Sequence, residues 1–440
     1  MRYRAIQTFA AAGTLVVTSV AIGGGHASLA DNGNSGAVRV WNQHAIEALM
    51  NPTTAGVPGA GLAPNVGGIH LAIVQGAVYD AVNAIDGGHQ PYLPGLPAAS
   101  PDASLDAAVA TAAHHVLDGL LPGIVPAPPA AVDTRVDNLW LGALSMIPEG
   151  PSKEAGIAVG AAAAEAMLRA RDGDGRFDSE SFPVGTQPGQ WQTTPPAFVN
   201  DASAWVATAA PLVIDDPADF RTPGPRNLNG AAYAHEYNEV KTLGAVGSAR
   251  NPEQQAVANF YNVNPVVLFN RTFRAVSERE GLTLAEDARL FAMLNVTAAD
   301  GFIACWADKG HWLFWRPITA IHNGDSDGNP RTAGDTTWMP HTVTPPYPDH
   351  PSGYNCASGS FMTAAKAFFG TDHMEFDVVR IAPNVPNVTR HYERFSDVMH
   401  DTIDARVYQG IHFRSTDVQA ARLGKQVADW INEHAFQPVG

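Results

Sequence analysis

The 440 residues carry 27 Lys and Arg against 43 Asp and Glu, a formal charge of -16. Such an acidic surface argues against nucleic acid and anionic lipid as general partners, so any bound anion must be gathered by a local cluster of cations. The length exceeds what one compact core holds, and two packed subdomains are expected.

The chain opens with Arg2 and Arg4, a weakly polar Ala/Val/Gly-rich stretch from Ala5 to Gly25, and the small-residue site Ser28-Leu29-Ala30. That order reads as a secretory signal peptide over residues 1 to 30, cleaved after Ala30. A short membrane anchor is the alternative, but Gln7, Thr8, Thr14, Thr18 and Ser19 interrupt the apolar run. Cleavage would leave a secreted or periplasmic chain of charge -18 with no integral membrane segment. Export places the two cysteines, Cys305 and Cys356, in an oxidising compartment, where they either pair or stay as buried thiols. No Cys/His spacing suggests zinc.

Apolar residues recur at helical spacing through most of the chain, and strict alternation is scarce. Helices are predicted over residues 38 to 50, 66 to 86, 104 to 120, 129 to 146, 152 to 171, 228 to 245, 262 to 281, 284 to 307, 352 to 369, 389 to 409 and 417 to 435. The fold class is therefore all-α, as two four-helix-bundle-like halves: residues 31 to 227, and residues 228 to 440 carrying an oxyanion site. Pro128-Pro129 marks one helix start, Thr283 with Glu286 a capping box before another, and Gly370 a helix stop. Between helices, residues 173 to 227 are rich in Pro, Gly and Thr and read as a linker or an ordered flap. Residues 322 to 351 form a second long loop, of the kind that often carries function. The acidic runs Asp172-Gly173-Asp174-Gly175 and Asp325 to Asn329 lack EF-hand spacing and read as turns.

Three clusters carry chemistry. Lys309 and Arg316 are seven residues apart, which on a helix points both cations the same way, near a helix end enforced by Pro317. Trp306, Trp312, Phe314 and Trp315 crowd the pair, favouring burial beside an anion over two solvated charges. The second cluster is Tyr347-Pro-Asp-His-Pro-Ser-Gly-Tyr354, where Ser352 suits a helix N-cap and Gly353 lets an oxyanion approach backbone N–H groups. Alone it would be a common cap. The third runs from Arg406 through His412 to Asp417, with Gly410 as a helix stop and Thr416 with Gln419 as a capping box, leaving His412 in the bend.

Together these residues resemble the three-part signature of the vanadium-dependent haloperoxidase and type 2 acid phosphatase superfamily. The matching positions are Lys309, Arg316 and Pro317; Pro351, Ser352 and Gly353; and Arg406 and His412. The resemblance covers about the last third of the chain; earlier residues, including Arg39-Val-Trp-Asn42, are similar only in general character to bacterial haloperoxidase-like proteins. It implies vanadate as cofactor, with phosphate able to occupy the same site. His412 would be the nitrogen ligand of vanadium or, in a phosphatase, the nucleophile. Lys309, Arg316, Arg406, the Ser352 hydroxyl and the Gly353 amide would hold the oxygens. The implied partners are hydrogen peroxide, halide and a small organic substrate, with vanadium as a Lewis acid that needs no redox change. Trp306 and Tyr347 fall where the family's halide-facing residues lie.

The chain departs from this signature in three places. Tyr354 stands where the family has an acid–base histidine, and a phenol is a poor base near neutral pH. Phosphate ester hydrolysis suffers more from that loss than peroxide activation, because an alkoxide must leave with a proton; His350, His341 and His311 are candidate substitutes. Ala405 replaces the family's serine, and Asp417 comes one residue late, from where it could still orient His412. Three readings follow: a haloperoxidase, an acid phosphatase, or a non-catalytic oxyanion binder.

Overall fold

The computed structural model describes residues 36–50, 59–382 and 385–439, so the proposed leader, residues 1 to 30, lies outside the described residues. Thirteen helices are found among them: α1 Ala37–Met50, α2 Pro64–Asp86, α3 Leu105–Leu120, α4 Ala130–Ser145, α5 Pro151–Ala170, α6 Ala231–Leu243, α7 Pro252–Phe260, α8 Pro265–Glu280, α9 Leu284–Trp312, α10 Pro317–His322, α11 Gly353–Phe369, α12 Phe395–Tyr408 and α13 Arg414–His434. The chain is mostly helical, as its periodicity requires.

α9 organises the molecule. It begins at the Thr283/Glu286 capping box and is buried on nearly every face. A helix apolar all round must lie inside a fold or a membrane; α9 is long and apolar enough to span a bilayer, but its apolar stretch is covered by protein. α2 packs on one side of it and α11 and α13 on the other. α11 and α13 approach closely because each presents a glycine. A Cβ on Gly359 would lie 2.3 Å from Ala421 O, and one on Gly424 would lie 2.1 Å from Cys356 O. This contact brings the bend before α13 against the N-terminus of α11.

Four elements differ from the sequence-based expectations. Residues 389–394, expected to open a helix, belong to strand β2 (Val388–Arg394), antiparallel to β1 (His373–Arg380) with Phe376 opposite Tyr392. Tyr392 and Phe376 stack inward beside Phe395, so alternation over this stretch outweighed a helical period. α7 lay in a gap between predicted helices, although Asn251, Pro252 and Gln254 form a capping box. α9 ends at Trp312, with Leu313 left-handed at φ 47°, and Arg316 is the N-cap of α10. Lys309 and Arg316 therefore do not share a helix face. α13 starts at Arg414 with Phe413 at its N-cap, so Thr416 and Gln419 do not form a capping box.

The segment 173–227 is an ordered flap wrapped over α9. Trp191 N–H donates to Leu313 O at 2.7 Å and Trp315 N–H to Gly189 O at 3.0 Å. The fully buried Asp300 of α9 accepts the backbone N–H groups of Leu212, Val213 and Ile214 at 2.6 to 2.9 Å. Both acidic runs are internally satisfied turns: Asp174 pairs with Arg171 and Arg176, and Asp327 accepts from Thr332 and Asn329 N–H.

Candidate functional site

The bend between α12 and α13 places His412 deep in the protein, 1 % exposed, with Gly410 at φ 78° ending the preceding turn. Nδ1 lies 2.8 Å from Asp349 Oδ1. Asp349 is itself fully buried and accepts the Thr416 hydroxyl at 2.7 Å. Burial pushes the Asp349 carboxyl up to about 7, while Arg316, 3.8 Å away, and Thr416 pull it down. His412 is held well below its ordinary value by burial, then by the charges of Arg316, Arg406 and Lys309. The ring is therefore neutral, and with its proton on Nδ1 toward Asp349 its Nε2 accepts from Arg316 Nη1 at 3.2 Å.

The residues around His412 carry buried polar atoms with no protein partner. Arg316 donates through Nε to Tyr347 O at 2.8 Å and through Nη1 to Ile411 O at 2.8 Å, but its buried Nη2 is unpaired. Arg406 donates through Nη1 to Gln409 and lies 4.9 Å over the Tyr354 ring, with Nε unpaired. Ser352 occupies the N-cap of α11, yet its hydroxyl does not cap the helix. That hydroxyl lowers the Asp417 carboxyl as a neighbouring donor, but the contact falls short of hydrogen-bond geometry and leaves both Ser352 Oγ and Asp417 Oδ2 without a partner. Unsatisfied buried donors cost about 1–3 kcal/mol each. A multiply charged oxyanion beside His412 Nε2 would satisfy three of them together, so the residues fit such a group.

Two expected residues are used differently. The Lys309 ammonium, fully buried, donates to the carbonyls of Pro348, Asp349 and Pro351. Burial lowers it to about 8, and it clamps the loop before α11, lending an anion its charge rather than its protons. Asp417 does not orient His412; its Oδ1 accepts Asn355 Nδ2 at 2.8 Å, and burial raises its carboxyl well above the usual range. The orienting place is taken by Asp349, which sequence reasoning passed over. Its signal was an acidic residue between prolines three positions before Ser352, where a charge needs a partner.

Of the candidate substitute histidines, His350 alone approaches the site. Its Nε2 lies 2.7 Å from Thr222 Oγ1 and its Nδ1 3.3 Å from Thr416 Oγ1, and burial lowers it to about 3. Thr222 in turn donates to Asp308 Oδ2 at 2.5 Å, so a chain of contacts runs from His412 through Asp349, Thr416, His350 and Thr222 to Asp308 beside Arg221. His341 bonds Gln255 and Asn259, and His311 stacks edge-on against Trp312. Tyr354 is 7 % exposed, its hydroxyl is unpaired, and burial raises it further above its ordinary value. Cys305 and Cys356 are buried free thiols, with Cys305 Sγ 3.6 Å from Pro351 O.

The cradle opens onto a cleft of about 430 Å³ whose lining includes Trp306, Tyr347, Gly353, Tyr354 and Arg406. Trp306 donates its indole N–H to Asp201 Oδ2 at 3.0 Å, so the flap supplies one wall.

Residues 289–440, which hold all of these motif positions, match the family described as the VCPO second helical-bundle domain. The similarity to the vanadium haloperoxidase family lies in this domain, about a third of the chain. Vanadium chloroperoxidase of Curvularia inaequalis is 26 % identical over 182 residues, a match spanning 31 % of this chain and 29 % of that protein. A solved bacterial vanadium-dependent iodoperoxidase superposes with a TM-score of 0.76 at 21 % identity, covering 93 % of this chain and 99 % of the other. An apo-type bacterial vanadium-dependent chloroperoxidase gives a TM-score of 0.69 at 18 % identity over 87 % of this chain and 95 % of the other. The family's fold thus extends over nearly the whole chain, well beyond the stretch its sequence motifs cover.

Proposed function

We propose that this chain is a vanadate-dependent haloperoxidase that oxidises halide with hydrogen peroxide to hypohalous acid. The observation that carries the reading is the set of unpartnered buried donors, Ser352 Oγ, Arg316 Nη2 and Arg406 Nε, in a pocket of cations beside a neutral His412. Vanadate would be held on His412, with Arg316, Arg406, Ser352 and the Gly353 amide on its oxygens and the Lys309 charge behind. When bound, it supplies a Lewis acid that activates peroxide toward halide without changing its own oxidation state.

The chain's own residues do the rest. Asp349 keeps the His412 proton on Nδ1 and the ring in place. Three cations offset the negative charge of the oxyanion in a site sheltered from water. Trp306 and Tyr347 present an aromatic wall that partly desolvates a halide. A phosphatase needs an acid to protonate the leaving alkoxide, and Tyr354, raised above its ordinary value, is a poor donor for that step.

Triiodide formation from iodide and peroxide, with and without vanadate, tests the reading beside hydrolysis of 4-nitrophenyl phosphate. Vanadate-dependent triiodide without phosphate release is expected. His412→Ala should abolish vanadate binding by calorimetry; retained binding would refute the assignment of His412. From the leader-like residues 1 to 30 we also propose that the protein acts outside the cytoplasm, and N-terminal sequencing for a mature chain beginning after Ala30 tests that.

A further inference from the structure

The cleft over the cradle is larger than peroxide and halide require. Its volume of about 430 Å³ compares with roughly 30 Å³ for one water and lies within the range of about 300–1,000 Å³ for small-molecule sites. Gly353 and Arg406, two of the residues that would hold the oxyanion, also line it, so an occupant would lie beside that site. Its floor is aromatic, and its rim is apolar, with Val343 68 % exposed at the mouth. Two charged side chains line it, Arg406 and Asp201. Arg406 faces the oxyanion in the reading above. That leaves the carboxylate of Asp201, fixed by the Ser203 N–H and hydroxyl at 2.9 and 2.6 Å and by the Trp306 indole. The amides of Asn65 and Asn262 line the same cleft and suit a hydroxyl group.

We infer that this cleft binds a neutral, phenol-sized aromatic acceptor and halogenates it within the protein, with Asp201 selecting against anionic acceptors. The inference rests on the peroxidase reading. Halide, peroxide and a proton give hypohalous acid and water. The acceptor ring then forms its carbon–halogen bond as the oxygen–halogen bond breaks, loses the ring proton, and the oxygen leaves as water. Held against the cradle, the acceptor meets the oxidant before it diffuses away.

The test is a competition between p-cresol and 4-hydroxybenzenesulfonate, iodinated by the vanadate-loaded enzyme and, separately, by reagent hypoiodite. One fixed carboxylate in a half-buried wall discriminates between neutral and anionic ligands by roughly 5- to 10-fold. The enzyme should therefore shift the product ratio toward p-cresol by about that factor relative to the reagent. Asp201→Asn should bring the ratio to within about twofold of the reagent, and Asn262→Asp, at an exposed position, should increase the bias. A ratio equal to the reagent's while triiodide forms normally overturns the acceptor site and leaves the peroxidase reading intact. If no triiodide forms, the peroxidase reading fails by itself. The site is then read from calorimetric titration of p-cresol into the full chain: saturable binding lost in Val263→Trp supports it, and no saturable binding overturns it.

Discussion

Gly353→Ala probes the tightest packing at the site. A Cβ at this position would lie 2.8 and 2.9 Å from two carbons of the Trp306 six-membered ring, against about 3.5–4.0 Å for ordinary contact. The indole cannot simply slide away, because its N–H is held by Asp201 at 3.0 Å and its ring packs on Tyr347 with centroids 5.0 Å apart. Overpacking of this kind costs about 1–3 kcal/mol. Replacing a helical glycine with alanine returns about 0.5–1 kcal/mol, so the clash dominates by about 1–2 kcal/mol. With an unfolding entropy of about 2.1 cal/mol/K per residue, or roughly 0.9 kcal/mol/K for the chain, the melting temperature should fall by about 1–2 °C. Denaturant titration is the better assay, in a cycle with Trp306→Phe, which removes the two carbons the methyl meets. A coupling above about 1 kcal/mol is expected. Additivity within about 0.5 kcal/mol, or a Gly353→Ala chain more stable than wild type, would refute the reasoning.

Three other substitutions test separate parts of the structure. Ser352→Ala should change stability by less than about 0.5 kcal/mol, unlike an N-cap serine worth about 1 kcal/mol, because its hydroxyl makes no cap bond; vanadate affinity by calorimetry should nevertheless fall about tenfold. Gly424→Ala drives a Cβ to 2.1 Å from Cys356 O and 2.9 Å from Ser360 N, and should cost about 3 kcal/mol or more and weaken vanadate binding with it, since the α11–α13 contact positions the cradle. His70, fully buried, is lowered from 6.5 to about 4 by burial, with Arg176 adding to the shift. The unfolded chain binds a proton there that the native chain excludes, so this group's contribution falls as pH drops from 6.5 to 4, by about 3 kcal/mol. His70→Leu should lack that part of the acid destabilisation, and an identical pH dependence of the denaturation midpoint in both chains would contradict it.

Much of this was legible in the sequence because it is local. The 3.6-residue period of α2, α9 and α11, the Thr283/Glu286 capping box and the turn-forming acidic runs depend on neighbours a few residues away. So does the bend at Gly410 just before His412. The spacing of Lys309, Arg316, Ser352, Arg406 and His412 was equally readable as a pattern. What the pattern could not supply was the use of each group. The seven-residue interval between Lys309 and Arg316 suggested a shared helix face, but α9 ends at Trp312. The stretch at 389–394 suggests a helix start when taken alone, because its partner, β1, lies across a turn.

The sequence by itself determined the helical class, most element positions and the identity of the cations and the histidine, since propensity, capping and residue chemistry act over short range. Tertiary docking decided which donors remain free. Only when α11 meets α13 does Asp349 reach His412 across 63 residues, and only when the loop before α11 closes over α9 are the Lys309 protons consumed by carbonyls. A buried polar group is satisfied by whatever the fold brings within about 3 Å, and that distance is a property of packing, not of chain order.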